Sequence, residues 1–315
     1  MRLGSGWVSL GTTMAAALPL LLSLLTCGPP TGPASRCVVA ATASAPIGWF
    51  PGSIVFDSAC RQLLAFGGSI GQGNNLSNAT WSWKDGHWTH LMPAHSPPAR
   101  TRGALAFDAK RNVSVLYGGQ LDLNRNPPVA AVDTWIWNGA DWHDGRPAHR
   151  PDLLLPIATY DASREQVVIV GWDTASHGFA TWSWNGEDWQ PLMTLPASAA
   201  QAGLVYDPRT RSVLLFGGFN QSAGPLQETW SLGQSGWHLL RPATTPQARL
   251  DPALGFDPKL KRVLLTGGGT AQQPLMADTW AWDGSNWSQL PAIDCDPPSP
   301  RAERLPVQRG HWTAL

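Results

Sequence analysis

The chain has 315 residues, with 22 acidic and 22 basic side chains, and is 43% hydrophobic; this excludes disorder and allows a sizeable core. Charged residues reach only 14%, against about 25% in a typical domain, so no basic face is available for a nucleic-acid backbone. With Gly at 32 and Pro at 28, the chain is too rich in turn formers for a helical bundle.

The first forty residues stand apart from the rest. Arg2 is the only charge before Arg36, and Met14 to Leu25 reads MAAALPLLLSLL, the length of a signal-peptide apolar segment and short for a membrane span. Leu24-Leu25-Thr26-Cys27-Gly28 is similar to a bacterial lipobox, although Thr26 departs from the small residues preferred there. Lipidation at Cys27, cleavage after Ala41-Thr42-Ala43, and retention of the leader as an anchor are the three readings. Residues 1–27 are the leader, and Gly28 to Ser35 (GPPTGPAS) reads as a flexible tether within residues 28–47.

From residue 48 onward the chain repeats itself. An aromatic-Asp pair recurs at Phe56-Asp57, Phe107-Asp108, Tyr160-Asp161, Tyr206-Asp207 and Phe256-Asp257. A glycine pair follows at Gly67-Gly68, Gly118-Gly119, Gly217-Gly218 and Gly267-Gly268, with Gly171-Trp172 in the third copy. Thr-Trp comes next, at 80, 134, 181, 229 and 279, then a second Trp two residues on (Leu232 in the fourth copy) and a third five further. Fourteen of the 18 Trp residues fall in this frame.

Each repeat predicts four strands. The Asp opens a turn after strand a, as in Asp207-Pro208-Arg209-Thr210. Strand b is a continuous apolar run such as Val213 to Phe216, which means burial on both faces. Strand c alternates, as in Thr181-Trp182-Ser183-Trp184, and an Asn-Gly or Asp-Gly turn leads to strand d. The Trp residues flanking that turn (83 with 88, 137 with 142, 184 with 189, 282 with 287) should meet across the strands.

Such units bury both faces only by stacking radially, which predicts an all-β propeller. The glycine pairs, the Trp-bearing strand c and the Trp opening strand d resemble the kelch repeat, most closely its bacterial Asp-Thr-Trp-x-Trp-Asn-Gly-x-x-Trp form. The expected architecture is five recognisable four-stranded kelch-like blades over residues 48–291, with repeats at about 48–97, 98–150, 151–197, 198–247 and 248–291. Residues 292–315 are a tail or an incomplete sixth repeat, since Pro298-Ser299-Pro300-Arg301 echoes Pro97-Pro98-Ala99-Arg100. Cys37 to Ala41 falls in the register of an outermost strand d, and is expected to form an edge strand that helps to close the ring. Whether the ring is a reduced five-blade or a damaged six-blade one stays open.

The chemistry-bearing residues read as structural. The five Asp residues share one turn position, and no helix follows the glycine pairs to make a phosphate loop. His87 and His90 point to opposite faces of a strand, and Tyr117, Tyr160 and Tyr206 hold core aromatic positions. Catalytic residues, a cofactor and a metal site are therefore not expected. The resemblance implies an exported, non-catalytic, monomeric propeller that binds a protein or a glycan as a scaffold at the cell surface, or in secreted form. It would touch the membrane only through an N-terminal anchor and would not bind nucleic acid. The alternative is a carbohydrate-active propeller enzyme of galactose-oxidase or glycosidase type.

The b–c connections vary in length and the d–a runs are long, so the ligand face is expected there. The longest b–c loop, Gln120 to Asp133, offers Asn124 and Arg125, and Arg100 and Arg249 recur at the start of strand a. Strand topology places Cys37 and Cys295 on one face and Cys60 in an a–b turn on the other. This predicts a Cys37–Cys295 bridge with Cys60 free.

Overall fold

The computed structural model describes residues 41–43, 49–50, 53–70, 75–125, 129–195 and 198–291. It is all-β, with five four-stranded antiparallel blades arranged as a propeller. Strands a to d are Ser53–Asp57, Gln62–Phe66, Thr80–Lys84 and His87–Leu91 in blade 1. In blade 2 they are Ala104–Asp108, Val113–Asp122, Val129–Trp137 and Trp142–Asp144. Blade 3 has Leu153–Asp161, Gln166–Asp173, Gly178–Trp184 and Trp189–Leu195. Blade 4 has Ala200–Asp207, Ser212–Asn220, Thr229–Gly233 and Gly236–Leu240. Blade 5 has Ala253–Asp257, Arg262–Thr266, Thr279–Trp282 and Trp287–Gln289.

The repeat landmarks do the work expected of them. Each repeated Asp accepts backbone N–H bonds inside its own turn; Asp57 Oδ1, for example, receives Ala59 N at 3.0 Å and Cys60 N at 3.1 Å. The same Asx cap recurs at Asp108, Asp161, Asp207 and Asp257. The four Trp pairs face each other across the c–d turns at centroid separations of 5.3 to 5.5 Å. Gly67 shows what the first glycine of a pair is for. Its φ is +72°, and a Cβ there would lie 2.4 Å from the Arg100 carbonyl oxygen of the next blade.

The core consists of separate apolar clusters between blades rather than one central mass. Between blades 2 and 3, for instance, Ala104, Ala106, Val115 and Tyr117 pack against Val167, Ile169, Trp184 and Trp189. This is why strand b reads as a continuous apolar run: its two faces enter two different clusters.

Three expectations change. Ala41–Ala43 pairs antiparallel with the outer edge of strand d in blade 1, with Ala41 opposite Leu91. These residues thus add a fifth strand to the first blade, capping its free edge, rather than supplying a strand d to the last. The stretch Gln120 to Asp133 is largely not a loop. Strands b and c of blade 2 extend into it and pair Asp122 with Val129, so it projects as a hairpin arm. Cys60 is disulfide-bonded and therefore not a free thiol. Cys27, Cys37, Cys295 and the Cys37–Cys295 pairing lie outside the described residues, as do the leader and residues 292–315.

Candidate functional site at the channel mouth

Six residues before the turn Asp of blades 2 to 5 stand Arg102, Leu155, Gln201 and Asp251. All four adopt left-handed backbone, with φ of +55°, +48°, +58° and +51°. That conformation costs a non-glycine residue about 1–2 kcal/mol, so its recurrence reflects a built feature. It arises because the strand pairing slips at this point. In blade 4, Ala200 faces Phe219 while Ala202 faces Gly217, and in blade 3 the register shifts between Leu154 and Ile157. The bulge turns the intervening side chain out of the ladder.

Three of these residues, each from a different blade, interact. Gln201 Nε2 donates to Asp251 Oδ2 at 2.9 Å, and Asp251 N donates to the Gln201 carbonyl at 2.7 Å. Arg102 acts on the same carboxylate through its charge. Burial raises the Asp251 carboxyl above its ordinary value, and Arg102 and Gln201 oppose the rise only in part. The arrangement presents a partly desolvated carboxylate, an amide and the exposed Arg102 guanidinium at the start of the innermost strands. Such a set can exchange hydrogen bonds with a polar ligand. It holds no side-chain nucleophile. Among the described residues no three His, Cys, Asp or Glu side chains come together as a metal site.

The residues singled out from sequence divide into two groups. Asn124 and Arg125 are exposed at the tip of the blade 2 hairpin, with exposed Leu123 beside them. Asn124 N donates to Asp122 Oδ1, and Arg125 lies 3.6 Å from Asp122 Oδ2. Arg100 and Arg249 differ, being 1% and 0% exposed. Arg100 uses its backbone to hold blade 1, donating to Ser77 O and accepting from Gly68 N. Its side chain holds blade 2, donating to Gly118 O and to both carboxylate oxygens of Asp133. Arg249 repeats this clasp with Leu226, Gly218, Gly267 and Asp278. They are interblade clasps, and an Asp at the start of strand c of the same blade absorbs the charge that would have greeted a ligand. Gly67, Gly68, Gly118, Gly119, Gly217, Gly218, Gly267 and Gly268 all have positive φ and form the turn these clasps grip.

Sequence reading does not single out Arg102, Gln201 and Asp251. Their signal is present in the register, since all stand six residues before a repeated Asp, but their residue types differ from blade to blade. Comparison with protein-family models and with characterised proteins gives no match for this chain.

Proposed function

We propose that the protein is an exported, non-catalytic propeller of the kelch type that binds a glycan or a protein on the face bearing the strand-a starts and the b–c connections. The observation that carries this reading is the convergence of Arg102, Gln201 and Asp251, from blades 2, 4 and 5, on one carboxylate. A scaffold needing only stability has no use for a desolvated carboxylate beside an exposed arginine. The blade 2 hairpin, with Asn124 and Arg125 at its tip, extends the same face. Kelch-type identity is supported by the glycine pairs, the Thr-Trp-x-Trp strands and the blade structure. Export is supported by the leader sequence and by the disulfide at Cys60, a bond that persists in oxidising compartments.

The test is a screen of the exported chain against glycans and cell-envelope fractions, run beside Arg102→Ala and Asp251→Asn and with metal analysis in parallel. Binding that is lost in both variants, without turnover of the ligand, is the expected result. Binding that survives both substitutions, or chemical conversion of a bound sugar, overturns the reading.

A further inference from the structure

The five blades make four like junctions and one unlike. At each of the first four, the strand-d indole of the later blade donates to the strand-c threonine of the earlier one. Trp142 reaches Thr80 at 2.9 Å, Trp189 Thr134 at 2.8 Å, Trp237 Thr181 at 2.8 Å and Trp287 Thr229 at 3.0 Å. All four threonines are buried, and one apolar cluster fills each junction.

Between blades 5 and 1 the pattern breaks among the described residues. Thr279, the corresponding threonine, is half-buried and receives no indole there; its Oγ1 lies 3.4 Å from Thr266 Oγ1. Strand a of blade 5 is half-exposed along its whole length, whereas strand a of blade 2 is buried throughout. On blade 1, Phe56 is 42% exposed. Trp83 and Trp88 are half-buried, although the matching pairs 137/142, 184/189 and 282/287 are buried. No buried cluster joins these two blades among the described residues.

The chain carries its own complement to this seam. Gly310-His311-Trp312-Thr313-Ala314-Leu315 matches Gly86-His87-Trp88-Thr89-His90-Leu91 at all but one position. That is the sequence of a strand d, the element whose indole makes the clip at the other junctions. Ahead of it, Arg301 stands one repeat period after Arg249, where a strand-a run-in begins. The run-in and the strand d are joined by Arg309-Gly310, which allows a tight turn. The chain between Gln289 and Trp312 is long enough to cross a blade several times over.

We propose that residues 298–315 dock in the seam between blades 5 and 1 as a minimal wedge, with the Trp312 indole N–H donating to Thr279 Oγ1. Alternating Leu305 and Val307 then meet the exposed apolar surface of strand a in blade 5 and of Phe56 in blade 1.

The experiment uses the full chain. Trp312→Phe keeps the ring bulk and deletes the donor, and Trp287→Phe does the same at an established clip. Both should lower the thermal midpoint by about 2–4 °C, the shift expected for about 1 kcal/mol in a chain of this size class. Thr279→Val should lower it equally, and combining it with Trp312→Phe should add nothing, because the two residues would share one bond. Amide exchange in Ala253–Asp257 and Ser53–Asp57 should accelerate in Leu305→Asp. The proposal fails if Trp312→Phe leaves the midpoint unchanged while Trp287→Phe lowers it, or if the Trp312 and Thr279 losses add. Protection of Ala253–Asp257 that rises with protein concentration also overturns it, by placing a second copy in the seam.

Discussion

Arg249 and Asp278 meet through two parallel hydrogen bonds, Nη1 to Oδ1 at 2.7 Å and Nη2 to Oδ2 at 2.8 Å, with the guanidinium wholly buried. Bidentate pairs of this kind fix geometry as well as charge. The Arg249 backbone is bonded to Gly218 and Leu226 of blade 4 while its side chain is bonded to blade 5, so one residue ties two blades. Breaking it from either side leaves a buried charge. Arg249→Met and Asp278→Asn are each expected to cost about 3–5 kcal/mol in urea unfolding. The double variant Arg249→Met/Asp278→Leu should cost less than Arg249→Met alone, because it leaves no orphaned charge.

The pH dependence of this pair has a definite sign. The Arg249 hydrogen bond holds the Asp278 carboxyl below its ordinary value of 3.8. A depressed folded value means stabilisation that is complete above 3.8 and lost as pH falls through the folded value. The stability gap between wild type and Asp278→Asn should therefore narrow on titration below about pH 4, as read from urea midpoints across that range.

Two glycines with left-handed backbone separate conformational from steric cost. Gly119 has φ of +111°, and a Cβ there would sit 2.7 Å from the Thr101 carbonyl oxygen and 3.0 Å from Gly103 N. Gly224 has φ of +79°, and a Cβ there would meet nothing within 4 Å. Gly224→Ala should cost only the left-handed penalty, about 1–2 kcal/mol. Gly119→Ala should cost clearly more, since backbone atoms cannot step aside. Equal losses in paired denaturation curves would show that the Thr101 segment yields.

Asp251 offers a contrast between stability and binding. Burial raises its carboxyl above 3.8, so the ionised form is disfavoured in the folded protein and stability falls as pH rises through the folded value. Asp251→Asn keeps an acceptor for Gln201 and removes the charge. It should leave the protein as stable or more stable at neutral pH, while binding to the mouth is lost. A large destabilisation at neutral pH would make Asp251 a structural residue.

The Cys60 disulfide predicts a redox signature. In the native oxidised protein, Cys60 should resist alkylation until a reductant is added. Reduction should then lower stability by roughly 2–4 kcal/mol. Modification of Cys60 by an alkylating reagent without reductant, read by peptide mass, would contradict this.

Whatever the repeat imposes five times is legible in the sequence. The Asp caps, the Trp pairs and the apolar strand-b runs follow from local turn chemistry and two-residue alternation, which depend on near neighbours in sequence. The hairpin arm is not legible in the same way, because Pro127-Pro128 and the polar run around Asn124 look like a loop. Cross-strand pairing of Asp122 with Val129 overrides those local signals. Arg100 and Arg249 are visibly recurrent, but the carboxylates that consume them lie 33 and 29 residues away.

The sequence by itself determined the all-β class, the five blades and the places where each blade turns, because those features are periodic and each copy votes on the others. Only the tertiary structure decided which charges are available to a ligand. Arg100 and Arg249 are buried against Asp133 and Asp278, whereas Arg102, two residues beyond the first, is exposed at the channel mouth. The reason is geometric: a bulge of one residue reverses the side of the strand on which a side chain emerges, and the partners that complete the mouth come from blades 2, 4 and 5, distant in sequence and joined only by the ring.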